Sequence, residues 1–268
     1  MPRTKTSSAD KPRTPADEIE AFAGDPDFMT SLARGIAVIR AFDESHTRLT
    51  VAQASERSGL PRSAARRCLY TLQKLGYVEA DGSSFALKPR IVALGHVYMA
   101  ATPLSASAQP VLDRVALAMG ETCTLAVLDR DDILFIAHSS RVPLVSVNFA
   151  VGSRLPAYCS ANGRVLLAAL AEPELDRYMA RLKPARLTEK TVTTKRQLQE
   201  LVQQAREDGY ALVDQEFDLK IRTVAVPVRH GGRIAASMSV SVPVERVSVR
   251  ELKSRLLPLL LEAAGEFA

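Results

Sequence analysis

Between Pro61 and Val78 the chain carries Arg62, Ser63, Arg66, Arg67, Tyr70 and Lys74, and no acid. Arg62, Arg66 and Tyr70 recur every four residues, so on a helix they form one stripe, away from Leu69, Leu72 and Leu75. A cationic helix face of this kind suits the DNA major groove, where a guanidinium meets guanine O6 and N7 with two parallel hydrogen bonds. Ser63, and Thr50 upstream, are residue types that bind phosphate oxygens, as helix N-terminal amides do. A lone basic helix reads equally well as a solvated surface, so the neighbouring elements decide between the two.

A second set of polar side chains lies far downstream. Thr223, Ser237, Ser239 and Ser241 alternate with Val224, Val226, Met238 and Val240 along two strand-like runs, so the hydroxyls share faces opposite the aliphatic side chains. Two readings stand. The hydroxyls face water, or they line a ligand site, because polar groups shielded from water need partners. Arg141, Arg154 or Arg222 could neutralise an acid there, and Arg154 could equally brace its own loop. Tyr158 and Phe149 could stack on an aromatic ligand or fill the core. Cys159, His138 and Asp214 make a nucleophile, base and orienter on paper. No local signature joins them, and free cysteines are commonly buried and inert, so no enzyme is expected. Cys68, Cys123 and Cys159 are far apart without a CxxC pair, and the four histidines lack ligand spacing. No disulfide scaffold, metal or cofactor is expected.

The elements that position these groups follow from hydrophobic spacing. Residues 1–27 mix Pro, Ser, Thr and charges and read as a flexible arm. From Phe28, the recurrence of Leu32, Ile36 and Ile39 with Ala33, Ala37 and Ala41 predicts an amphipathic helix. Leu49, Val51 and Ala54 mark a short second helix, Gly59 a turn, and Pro61 the first turn of a third helix that runs to Gly76. Two short helices about a glycine turn make a helix-turn-helix. Tyr77 to Glu79, a turn at Asp81-Gly82, and Phe85 to Leu87 add a hairpin, so the unit is winged, with Asp81 to Ser84 free to touch an adjacent groove.

The expected organisation is therefore an arm (1–27), a winged helix-turn-helix (28–89), a linker helix ended by Pro103 (90–104) and an effector-binding and oligomerisation domain (105–268). In the last, a helix ends at Gly120 and a hairpin spans 122–138. A helix follows at 163–170, and another at 194–208 with Thr194 and Gln197 as a capping box. A long hairpin covers 223–242, and Ser248 with Glu251 opens a final helix. The fold class is α+β, with a mixed, largely antiparallel sheet.

The chain has 268 residues, 47% of them hydrophobic and 24% charged, which is ample for two packed domains and argues against disorder throughout. No run approaches the length of a membrane span and the first residues lack an apolar signal segment, so a cytoplasmic protein with no membrane partner is expected. A net charge of +5 suits a polyanionic partner. A nucleic-acid scaffold using Arg3, Lys5, Lys11 and Arg13 is the alternative within that class. It would bind without sequence preference and with steep salt dependence, and the large second domain weighs against it.

Beyond these readings, the chain resembles the IclR family of bacterial regulators over everything after about residue 28. The shared segments are SLARGIAVIRAF, the helix-turn-helix above, GSRLPAYCSANGRVLLA, and GYALVDQEFDLKIRTVAVPV followed by IAASMSVSVP. The stretch SVNFAVGSRLPAYCSANGRVLLA is most similar to regulators of protocatechuate, 4-hydroxybenzoate and β-ketoadipate catabolism. The resemblance implies a winged helix joined by a helix to a GAF-like effector domain. It further implies a homodimer or tetramer on near-palindromic double-stranded operator DNA, answering to a small acid such as protocatechuate, 4-hydroxybenzoate or β-ketoadipate. Effector-binding positions implied by it are Ser160, Ala161 and Asn162 before a helix, with Tyr158 and Cys159 beside them, then Asp214, Thr223, Ser239 and Ser241. Amides at the helix start near Ser160 would favour a carboxylate, with Arg154 as a candidate counter-charge. The family usually has glycine where this chain has Lys220, in a loop that approaches the ligand.

Overall fold

A computed structural model describes residues 14–141 and 149–267. Residues 1–13 of the expected arm lie outside them. The chain divides into two compact units, one ending at Tyr98 and one beginning at Met99.

The first unit is the winged helix. Helices α2 (Thr30–Ile39), α3 (Val51–Ser58) and α4 (Arg62–Lys74) surround a core of Val38, Leu49, Ala54, Leu60, Ala65, Leu69 and Val78. Gly59 closes α3 with φ +75°, a left-handed geometry open to glycine without a Cβ clash. Arg57 fixes the α2–α3 angle, its Nε donating to the Ala41 carbonyl at 2.6 Å while its guanidinium pairs with Asp43. The wing is a three-stranded antiparallel sheet in the order β1-β3-β2, built from β1 (Arg48–Thr50), β2 (Val78–Asp81) and β3 (Ser84–Leu87).

Three features of this unit differ from expectation. Part of the expected flexible arm is helical: α1 (Pro15–Glu20) docks Ala16 and Ile19 against the core, held by two 3.1 Å hydrogen bonds from Arg40 to Glu18. Leu49 belongs to a strand rather than a helix, because β1 supplies the third wing strand and only then turns into α3. Leu75 is not on a buried face; it follows the last turn of α4 and is 54% exposed.

A 3-10 turn (Pro89–Ile91) leads into α5 (Val92–Ala101), and α6 (Pro103–Met119) follows a break at Thr102. Proline fits the start of α6 because its missing N–H is not needed there, so Pro103 opens a helix as well as following one.

In the second unit, six strands lie in the order β6-β5-β4-β9-β8-β7. They are β4 (Thr122–Asp129), β5 (Asp132–Ser139), β6 (Arg154–Pro156), β7 (Ala211–Asp214), β8 (Ile221–His230) and β9 (Arg233–Pro243). Every pairing among the described residues is antiparallel, so the sheet is not mixed. On one face, Leu125, Val224, Met238 and Val240 pack against α6 and the C-terminal helical run. That run is α10 (Val249–Glu251), a π-turn (Leu252–Leu256) and α11 (Leu257–Gly265). On the other face pack α7 (Ala161–Ala168), α8 (Glu172–Arg181) and α9 (Lys195–Asp208). Ser248 and Glu251 form the expected capping box. Thr194 does not: its hydroxyl donates to the Gln197 side chain at 2.6 Å instead of capping backbone.

Candidate functional site

The exposed face of α4 is built by subtraction. Ala65, Leu69 and Leu72 are buried in the winged-helix core, and a helix turns about 100° per residue. Ser63, Arg67, Tyr70 and Lys74 therefore cluster opposite the core, while Arg66 and then Arg62 lie progressively round to one side. All six are exposed. Arg62, Arg66 and Arg67 have no ion-pair partner among the described residues, so their guanidinium donors are free for another molecule. Lys74 Nζ lies 5.3 Å from the Tyr70 ring centroid, a cation–π contact that orders both tips. No side chain caps the start of α4, which leaves its first amides available. Thr50 has a different job from the one expected of it. Its hydroxyl accepts from Gln53 N at 3.3 Å and donates to Gln53 Oε1 at 3.0 Å, so it caps α3.

The second unit holds a small cavity of about 30 Å³, partly open to solvent, on the α7 side of the sheet. Its polar wall comprises Cys159, Ser160, Ala161, Asn162, Thr223 and Ser241. Its apolar wall comprises Phe135, Phe149, Leu155, Val213, Phe217 and Ile221. Six of the ten expected effector residues therefore line one cavity. Phe135 and Phe149 meet edge to face, with ring centroids 5.5 Å apart.

Local structure explains the polar wall. Ser160 caps α7, accepting from Gly163 N at 3.1 Å, and the helix then presents the amides of Ala161 and Asn162. Gly163 is required because a Cβ there would overlap the Ala157 backbone. Asn162 is anchored to β9 by a 2.9 Å bond from Nδ2 to the Ser237 carbonyl. The hydroxyl face is not solvated: Ser237, Ser239 and Ser241 are at most 1% exposed. Thr223 and Ser241 share a 2.9 Å hydrogen bond at the cavity wall.

Four expected effector residues stand elsewhere. Ser239 is on the cavity face but away from the lining, bonded to Thr124 at 2.8 Å. Asp214 is on the opposite face, because side chains alternate along β7 and its neighbour Val213 takes the cavity side; it pairs with Arg222 at 3.1 Å. Arg154 braces the β4–β5 turn through Asp129 and Asp132. Tyr158 is a strut, donating to the Ala185 carbonyl at 2.7 Å and accepting from its N–H at 3.1 Å. Among the described residues no Arg, Lys or His lines the cavity, so a bound anion there meets neutral donors and helix amides. Lys220 is exposed and needs no left-handed backbone, which removes the conformational reason for glycine.

Phe135, Leu155, Val213, Phe217 and Ile221 were not foreseen. Ile221 had a signal, since it is two residues before Thr223 and shares its face; Phe217 sits in an irregular loop and had none.

The nucleophile reading fails on geometry and on charge. Asp214 faces away from the Cys159 side of the sheet, and burial pushes the Cys159 thiol up to about 12, the reverse of an activated thiolate. No group of three or more His, Cys, Asp or Glu among the described residues could hold a metal. No described helix is long and apolar enough to cross a membrane.

A winged helix with an unpaired cationic reading face, and a second unit with a small-molecule cavity, define a ligand-sensing DNA-binding regulator. Residues 31–82 match the IclR helix-turn-helix domain and residues 96–267 match the bacterial transcriptional regulator IclR C-terminal domain. The chain belongs to the IclR family of transcription regulators. It is 48% identical over 255 residues to the Pca regulon regulatory protein of Pseudomonas putida, covering 94% of this chain and 88% of that one. It is 31% identical to the p-hydroxybenzoate hydroxylase transcriptional activator of Acinetobacter baylyi, covering 90% and 91%. Among solved structures, an IclR homolog from Microbacterium hydrocarbonoxydans complexed with 4-hydroxybenzoate superposes with a TM-score of 0.75 at 27% identity, covering 88% and 97%. These relatives are named as regulators, not enzymes.

Proposed function

We propose that this regulator is a cytoplasmic homo-oligomer that reads a near-palindromic operator with α4 and takes a small aromatic carboxylic acid, protocatechuate or 4-hydroxybenzoate, in the cavity beside α7. The observation carrying the effector half is the division of that cavity. One wall offers the Ala161 and Asn162 region at the α7 start with the Thr223–Ser241 hydroxyl pair, and the other offers three phenylalanines. An aromatic acid matches both walls, its carboxylate towards the helix start and its ring against Phe135, Phe149 or Phe217. Two relatives, a Pca regulon regulatory protein and an IclR homolog complexed with 4-hydroxybenzoate, support the same class.

The DNA half is supported by the free cationic face of α4. Oligomerisation is supported by apolar side chains exposed on two helices, Leu32 and Ile36 on α2 and Val92, Leu94 and Val97 on α5. Two such heads would engage half-sites one helical turn apart.

Calorimetric titration with protocatechuate and with its neutral amide tests the effector assignment. The acid is expected to bind at least about tenfold tighter, from the charge-assisted hydrogen bonds that only it can form. Equal affinity for acid and amide, or no binding of either, contradicts it.

A further inference from the structure

We infer that His138 is a further effector-binding residue, accepting the ring hydroxyl of a hydroxybenzoate whose carboxylate lies at the α7 start. This rests on the effector reading above and concerns the end of the ligand that the cavity leaves unassigned. The cavity of about 30 Å³ has room for about two water molecules. A void that takes benzene measures about 150 Å³. An aromatic acid held there therefore extends past the lining residues, over neighbouring side chains on the same face of the sheet.

Strand register fixes which side chains those are. A bulge between Leu125 and Ala126 of β4 leaves Ile136 and Ala137 of β5 both in the core on the α6 side. After Phe135, which lines the cavity, the next β5 side chain on the α7 side is therefore His138. Three observations agree on this face. The cross-strand partner of His138 is Thr124, and directly opposed residues share a face. Thr124 in turn bonds Ser239 at 2.8 Å on the α7 side. The neighbouring Ser139 points the other way, donating to Asp113 of α6 at 2.6 Å. One row further, Ser140 and Thr122 share a 2.7 Å bond, and Thr122 stands opposite Ser241, the partner of Thr223 at the cavity wall. A polar floor thus runs from the cavity across β9 and β4 to β5.

The hydroxyls of this floor bond one another, and His138 differs from them. Its carbonyl accepts from Gln109 Nε2 at 3.1 Å, but its ring has no hydrogen-bond partner among the described residues. The side chain is half-buried, so the ring nitrogens remain open to a ligand. Two strand spacings across and one two-residue step along separate it from Ser241, about 12 Å at the backbone. One benzoate ring with a para hydroxyl, a hydrogen bond at each end and the reach of the imidazole fill that span. Charge decides which ligand group belongs there. Burial holds the imidazole below its ordinary value, so at neutral pH one ring nitrogen is an acceptor for a phenolic O–H. It offers no positive charge to the far carboxylate of a dicarboxylic acid.

The test is calorimetric titration of the full-length protein with 4-hydroxybenzoate and with benzoate, repeated on His138→Phe and His138→Gln. His138→Phe keeps a planar ring and loses both nitrogens. It is expected to bind 4-hydroxybenzoate about three- to tenfold more weakly, with benzoate within about twofold of the unaltered protein. His138→Gln keeps an acceptor and should recover part of the loss. Unchanged 4-hydroxybenzoate affinity in His138→Phe, an equal fall for both acids, or an unaltered protein that binds the two acids equally would overturn the inference and leave the effector reading intact. An unaltered protein that binds neither acid would overturn both.

Discussion

Replacing Arg164 with methionine removes one half of a buried ion pair and leaves the other half in place. Arg164 projects from α7 and Glu216 from the loop after β7; their side chains are 2% and 9% exposed and meet at 2.7 Å. Glu216 Oε2 also accepts the Val192 N–H at 3.1 Å, while Arg164 Nε has no acceptor among the described residues. The pair ties the helix that starts at the cavity to the loop that supplies Phe217. Stranding one member of such a pair costs about 3–5 kcal/mol, because the remaining charge loses its partner without regaining water. For a unit of this size each kcal/mol moves the melting midpoint by about 2–4 °C, so a fall of about 6–20 °C is expected. The chain has no tryptophan, so calorimetry on the full-length protein is the assay of choice. Adding Glu216→Gln should recover about 2 kcal/mol or more, since a neutral amide facing the Val192 N–H replaces a stranded carboxylate. An Arg164→Met variant within about 1 kcal/mol of the unaltered protein, or a double variant no better than the single one, would refute the reasoning.

Three further outcomes are expected. Arg66→Ala should lose about 1–3 kcal/mol of discrimination at one operator base pair, with effector affinity unchanged; unaltered discrimination against single-base operator variants would remove Arg66 from the reading face. Thr223→Val keeps its shape but breaks the 2.9 Å bond to Ser241, and should weaken protocatechuate binding by about tenfold in calorimetry; an unchanged Kd would take Thr223 out of the effector contacts. The Cys159 thiol, pushed up to about 12 by burial, should react with iodoacetamide at pH 8 about a thousandfold more slowly than an ordinary cysteine, as read by mass spectrometry. Because its folded value is raised, its contribution to stability is fully present below about pH 8.5 and is lost as pH climbs towards the folded value; rapid labelling at pH 8 would show that the site is open.

The winged helix was legible where spacing and punctuation coincide. Gly59 and Pro61 bracket the turn, and Ala65, Leu69 and Leu72 leave the cations on the other side. In the sensor, alternation along β8 and β9 located the hydroxyl face, and the resemblance supplied the loop at Ser160. Elements carried by tertiary contacts were not legible. The six residues of α1 hold through Arg40 and the core rather than by helix propensity, and α8 hides Tyr178 and Met179 among charges. Asp214 was misplaced because the four-residue strand β7 was not recognised, so there was no alternation from which to assign its face. Arg154 was a fair counter-charge by type, but Asp129 and Asp132, far away in the chain, neutralise it first.

The most direct test of the central claim is a fluorescence-anisotropy titration of the unaltered protein onto DNA from upstream of its own gene and onto a scrambled duplex, at fixed near-physiological salt, with and without protocatechuate. The account predicts tight binding to the upstream DNA alone. Where protocatechuate shifts that affinity, the DNA must shift protocatechuate affinity by the same factor, because the coupling is reciprocal. Equal, weak binding to both duplexes would contradict it.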